Sequence, residues 1–468
     1  MSLTHLSARQ QSQLLQERQL SARECLEAHL RQIERLNPKI NALIYLDAEG
    51  AQQQALAIDE RRASGELLSP LAGLPIAIKD MERVIGMPQT FGSPIFKDNI
   101  TDSDSLMVER LRQHGCLILG KTNVPEFSMG SHTFNTVFGA TRNPYDLSKS
   151  AGGSTGGGAA AVRAHMLPFC DGSDLGGSLR NPGNFNNLIG LRPSPGRVPI
   201  WPAGSHWNPL GVYGPIARSA EDCALLLYAQ SGGDARNPIS LWEDPRVFLA
   251  NLSRDFKGVK VAYSLDMGGL PMQAEVKRVL AQGLHYLQDL GVELLEDCPD
   301  FSEADAAFAV LRAFFAAQTW GPSYRKHRDK MKDTAIWNIE KGLALSAQEV
   351  SDALLAQSRV YERMRVFMQD YAFFVGPVNQ VLPFDIDTPY PRDIEGVPMH
   401  DYVEWMQSAS RITTSLHPAL SCPIGFSQTG LPVGLQIVGR YRDELGLLQF
   451  AHAIEQLTQL AQRRPELA

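Results

Sequence analysis

Cysteine is scarce in this chain. The six, at positions 25, 116, 170, 223, 298 and 422, are scattered and never form CxxC. Such spacing excludes a disulfide frame and a thiolate zinc site, and is expected of buried thiols in a reducing compartment. Long apolar runs are missing as well. The best candidate, Ala306 to Ala317, is interrupted by Arg312, so no membrane span is expected. Positive charge is neither in excess nor gathered into a stripe: 44 Lys and Arg face 51 Asp and Glu, a formal charge of −7. Phosphate backbones need concentrated cations, so nucleic acid is not an expected partner. The opening MSLTHLSARQQSQLLQERQL lacks the basic start and apolar core of a secretory signal. No HExxH or comparable ligand spacing occurs, so neither a metal nor a cofactor is expected. The expectation is a cytoplasmic enzyme or binding protein, monomeric or a homodimer.

What is present is an ordinary globular balance, 44 % apolar and 20 % charged, in 468 residues. Ser21 to Glu24 has capping-box spacing, and Cys25, Leu26, Leu30, Ile33 and Leu36 follow at helical intervals until Asn37-Pro38. A second helix is expected over 48–64, with Asp47 as its N-cap and Gly65 as its end. From Leu71 onward short apolar runs (74–78, 116–119) alternate with helical stretches (105–113), the texture of an α/β sheet covered by helices. Helices are further expected at 271–290, 301–320, 346–371 and 444–460, a strand at 431–438, and irregular chain around the prolines from 377 to 398. No repeat or polar linker divides the chain. One large α/β domain is therefore expected, with residues 1–65 as a helical cap.

Between Ala151 and Gly196 glycine and serine become dense. The run Gly152-Gly153-Ser154-Thr155-Gly156 fits G-x-S-x-G, the nucleophile elbow, but also a plain turn that starts a helix. A phosphate loop would need a closing Gly-Lys-Ser/Thr, which is missing. A second cluster runs from Asp171 to Pro182. There Gly176-Gly177 before Ser178 would let consecutive N–H groups face one oxyanion, with Asp174 and Arg180 as a buried pair holding the loop. Lys79 ends the apolar run GLPIAIK, where burial would lower its pKa. Eleven histidines occur, and those nearest these motifs (His132, His206, His417) have no acidic partner in a recognisable pattern.

Together GLPIAIKD, GGSTGGGAAAV and SDLGGSLRNP resemble the amidase signature family of Ser–cis-Ser–Lys amidohydrolases. Segments 120–130, 139–150, 190–199, 214–227 and 419–440 continue the resemblance, which spans about residues 20 to 460 and is weakest over 230–415. It implies a single large α/β/α domain around a mixed, twisted central sheet and, by position, Ser178 as nucleophile, Ser154 as the serine after a cis peptide bond, and Lys79 as base. It also implies the amides of Leu175, Gly176, Gly177 and Ser178 as the oxyanion hole. Thr155 stands where many relatives have a second serine, and its hydroxyl can still bond Lys79. The implied activity is hydrolysis of a small-molecule amide through an acyl-enzyme. The expected substrate is a small or medium uncharged amide with an apolar or aryl group, with anilides, aryl esters and carbamates in range. Two alternatives stay open: the glutaminase subunit of a tRNA-dependent amidotransferase, and a catalytically silent binding protein on the same fold. Met406 falls about where the glutaminase subunits carry an aspartate for the substrate ammonium. Residues 230–415 are the expected substrate-shaping region. Aromatics offered for the pocket are Phe91, Phe134, Phe138, Trp201, Trp207, Phe314, Phe315, Trp320, Trp337, Tyr402 and Trp405, and Arg142, Arg192, Arg197 and Arg411 are the candidates for binding a carboxylate.

Overall fold

The structure, a computed structural model, describes residues 2–467. Apart from three short hairpins in loops, eleven strands build two sheets. The smaller holds β1 (Leu43–Leu46), β2 (Pro75–Lys79) and β3 (Leu117–Thr122), with β3 in the middle, antiparallel to β1 and parallel to β2. The larger contains β4 (Phe169–Asp174), β5 (Ile189–Arg192), β6 (Val212–Ala217), β7 (Lys260–Tyr263), β8 (Glu293–Glu296), β9 (Phe373–Pro377), β10 (Ala419–Phe426) and β11 (Pro432–Gly439). Its order is β8-β7-β9-β11-β10-β5-β6-β4. The β8, β7 and β9 pairings are parallel and the rest antiparallel, so the sheet is mixed.

Strand alternation assigns the two faces. On β11, Gln436 points toward the short helix Arg180–Phe185 and the helix Gln407–Thr414, accepting from Arg180 and donating to the Ser408 carbonyl. Three residues on, Gly439 turns the other way and leaves room for Leu447 of the Glu444–Thr458 helix. Helices Ala220–Gln230 and Ala274–Asp289 cover the sheet on that second side, and one continuous apolar core fills the space between. The result is a single α/β/α domain.

Several elements differ from expectation in instructive ways. The helix begun by the Ser21–Glu24 capping box runs from Ala22 to Ile40, past Pro38. Pro38 lies in the last turn, where its missing N–H forfeits one bond, and Asn37 compensates by accepting from Ala42 and Leu43 amides and donating to the Leu43 carbonyl. On its buried face His29 replaces Leu30, because the ring bonds the Met166 carbonyl and Gln11. The N-terminal 65 residues are also not purely helical, since Leu43–Leu46 pairs with β3. The helix expected over 301–320 runs from Ala304 to His327. Cysteines 25, 116, 170, 223 and 422 are buried and Cys298 is half-buried, all as free thiols.

Candidate active site

The small sheet brings its β2 edge against β4, the edge strand of the large one, and Lys79 sits at this seam. It is 1 % exposed. Its backbone N–H is held by Asp171 Oδ1 at 3.0 Å, and its Nζ donates to Ser154 Oγ (2.8 Å), Thr155 Oγ1 (2.9 Å) and Ser173 Oγ (2.9 Å). Burial brings the lysine from its usual 10.5 down to about 8, against the opposing pull of Asp171 and Asp174. Ser173 opens the SDLGGSLRNP motif, but the motif by itself gives it no role in this shell. The period of two along β4 is the signal that points to it, because Asp171 and Ser173 share a face and both reach Lys79.

The Gly153–Ser154 peptide bond is cis. The Gly153 carbonyl accepts from Ser131 Oγ (2.8 Å), which in turn accepts from Asn181 Nδ2 (2.7 Å), so the two glycine-rich segments are tied together at this point. Thr155 ends the turn, and Gly156–Arg163 forms a fully buried helix.

Asp174 organises the second segment. Its carboxylate accepts from Arg180 Nε (3.0 Å) and Nη2 (2.9 Å), and from the Gly177 and Leu179 amides (2.8 and 3.2 Å). Arg192 adds an ion pair at 3.4 Å and a bond to the Asp174 carbonyl at 2.6 Å. Burial works against ionisation here, but Arg180 and Arg192 hold the carboxyl well below the usual carboxylate range. Arg180 also reaches the Ala409 carbonyl, Gln436 and Thr413, which anchors the loop to the sheet and the next helix. One expectation is corrected. The Gly177 amide points to Asp174 Oδ1 and is not free to receive an oxyanion, whereas the amides of Leu175, Gly176 and Ser178 have no protein partner. Gly177 itself has φ +113°, where a side chain would be strained and would run into Asn181 and Ala409. Among the described residues the Ser178 hydroxyl has no hydrogen-bond partner, and it opens on a cavity of about 320 Å³ that Ser154 and Ser173 also line.

The cavity wall is largely apolar: Met81, Phe127, Met129, Phe315, Trp320 and Met406. Of the aromatics expected there, Phe315 and Trp320 line it. Phe91 backs Trp320, Tyr402 and Trp405 lie in a buried cluster outside the lining, and Trp207 is exposed. Met406 does reach the cavity. Asp174 is the one carboxylate among the described lining residues, and it is fully occupied by arginines. The arginines weighed as carboxylate binders are engaged elsewhere: Arg192 on Asp174, Arg197 on Glu444 and Glu243, Arg411 on Asp305, and Arg142 on the Leu147 carbonyl. Arg312, outside that set, lines the cavity instead. Its signal in the sequence is that of a single charge interrupting an apolar helical run.

The histidines divide in the same way. His132 is buried between Ser150 and the Ile386 carbonyl, with burial lowering it to about 4, and His417 is buried beside the Ser415 carbonyl. His206 lines the cavity but has no acidic partner. Among the described residues no His–acid dyad accompanies the serines, no group of three or more His, Cys, Asp or Glu could hold a metal ion, and no helix is long and apolar enough to cross a membrane.

Residues 24–448 match the Amidase family. A glutamyl-tRNA(Gln) amidotransferase chain of Synechococcus sp. (strain CC9605) is 35 % identical, with 97 % of each chain covered. An acylamidase of Rhodococcus erythropolis is 31 % identical over 99 % of this chain and 98 % of the relative. Among solved structures, a bacterial aryl acylamidase of the amidase signature family superposes with a TM-score of 0.91 at 28 % identity, covering 98 % of this chain and 99 % of that one. With its sheet order, its lysine–serine contact and its cis bond in place, the chain belongs to the amidase signature family, hydrolases of carbon–nitrogen bonds that work through serine, serine and lysine.

Proposed function

We propose that the protein hydrolyses a small or medium amide with an apolar or aryl group, with Ser178 as nucleophile, Ser154 as relay and Lys79 as base. The observation that carries this reading is the Lys79–Ser154 bond of 2.8 Å at the wall of a cavity into which the unbonded Ser178 hydroxyl opens. With Lys79 neutral, its lone pair accepts the Ser154 proton while Ser154 takes the proton of Ser178. The Ser178 oxygen then bonds to the amide carbon, and the amides of Leu175, Gly176 and Ser178 receive the oxyanion. As the carbon–nitrogen bond breaks, the proton on Lys79 passes through Ser154 to the leaving nitrogen. Water, deprotonated along the same path, releases the acid from Ser178.

Residues 230–415 shape the substrate site in this reading, through Phe315, Trp320 and Met406, and residues 1–65 cap the domain away from it. The glutaminase alternative is disfavoured by one observation, the lack of any free carboxylate among the described lining residues to hold an α-ammonium group. A fluorophosphonate tests the assignment. Peptide mapping should place the adduct on Ser178, and Ser178→Ala should prevent labelling and lower kcat by roughly 1,000-fold or more. An adduct on Ser154 would overturn it.

A further inference from the structure

Arg312 lies on the Ala304–His327 helix one turn after Phe308, whose ring packs against Gly176 in the nucleophile loop. Residues four apart share a helix face, so the guanidinium is carried to the same wall of the cavity as the oxyanion amides. It is 8 % exposed. Its Nη1 has no hydrogen-bond partner in the protein, and no carboxylate among the described residues lies within ion-pairing distance. Its neighbour is Tyr402, with the guanidinium carbon 4.8 Å from the ring centroid. The Tyr402 hydroxyl in turn accepts from Asn338 Nδ2, another lining residue.

Burying a guanidinium with a donor unmatched is costly. Arg62 and Arg192 also leave donors unmatched, but neither lines the cavity, and other buried arginines are matched. Arg180 has Asp174, and Arg163 has a set of carbonyls. Arg312 is also the one cationic side chain among the described lining residues, in a wall that is largely apolar. A guanidinium held against Tyr402 with its Nη1 donor open suits a carboxylate better than a neutral group. Resting on the hydrolase reading above, we infer that Arg312 anchors a carboxylate carried by the substrate, so that the enzyme prefers an amide with an apolar or aryl part and an anionic end over the uncharged amide expected from sequence.

Three anilides test this: butyranilide, succinanilate with a carboxylate on the acyl side, and N-butyryl-4-aminobenzoate with a carboxylate on the leaving side. In the wild type at least one charged substrate should exceed the neutral one about tenfold or more in kcat/KM, the scale of a charge-assisted bond. That ratio should collapse toward one in Arg312→Gln. Fluorophosphonate labelling of Ser178 checks that the variant is folded. If it is not, Arg312→Lys decides, because it keeps the charge and loses the fork, so the ratio must still fall. Protection of Ser178 from labelling reads binding without turnover, and there too the charged anilide must act at roughly tenfold lower concentration. Equal turnover and equal protection by charged and neutral compounds, or a preference that survives Arg312→Gln, would overturn the Arg312 assignment alone. Absence of the adduct from Ser178 would instead overturn the triad on which it rests. Were Arg312 only a clamp for Tyr402, the ratio would not respond to its replacement.

Discussion

Lys79 can act as a base only after losing a proton, and its three acceptors determine how. As an ammonium it donates to Ser154, Thr155 and Ser173 at once, with no lone pair left. Once neutral, one of those hydroxyls must turn and donate back, and in the proposed relay that hydroxyl is Ser154. With the lysine near 8, kcat/KM should be constant at higher pH and fall about tenfold per unit on the acid side below that value. A pH profile checks this, and a limb near lysine's ordinary value of about 10.4 would contradict it. Ser173→Ala removes a bond to the charged form, so the acid limb should move downward, by up to about one pH unit. Lys79→Met should remove the limb together with most of the activity.

At the scale of elements, the turn from β4 into the Arg180–Phe185 helix hangs on Asp174, which takes two loop amides and two arginines. Asp174→Asn would leave Arg180 and Arg192 buried without a counter-charge and replace one acceptor oxygen by an NH2 group. Stability should fall by about 3–5 kcal/mol, measured by denaturant unfolding, with loss of activity because the loop loses the acceptors that hold it. A gain in stability would mean the pair is dispensable. At the other end of the domain, Ser21→Ala removes the hydroxyl half of a capping box, in which Ser21 Oγ accepts from the Glu24 amide and donates to the Glu24 carboxylate, and leaves the Ser21 backbone amide donating to Glu24. That should cost about 1 kcal/mol and leave kcat unchanged, since the helix it starts lies outside the cavity wall.

For the whole molecule, the site exists because distant segments converge on one cavity: Lys79 from the small sheet, Ser154 and Ser178 from the glycine-rich stretches, and Phe315, Trp320 and Met406 from beyond residue 300. Isolated protein should release aniline from an anilide faster than ammonia from glutamine, because the described lining residues include no free carboxylate for an α-ammonium. The reverse order would favour the glutaminase reading. Because the proposed proton path runs through serine and lysine alone, prolonged chelation should leave the rate unchanged.

Much of this was legible along the chain, for a physical reason. Glycines needed for tight approach, a lysine closing an apolar run, capping residues and helical periodicity are local properties, so GLPIAIKD, GGSTGGG and SDLGGSLRNP could be read directly. So could the α/β/α class. Features that depend on which side chains face each other across the fold could not. Leu43–Leu46 is a strand only because β3 lies beside it. Phe315 and Trp320 reach the cavity while Trp405 packs into a separate core, although all belong to the same variable region. Ser173 completes the shell of Lys79, and Arg312 ends at the cavity without a counter-ion among the described residues. Local sequence determines backbone propensity and the order of motifs. The direction and partner of groups such as Lys79 Nζ and Arg312 are decided by contacts between segments tens to hundreds of residues apart, and only the tertiary structure contains those.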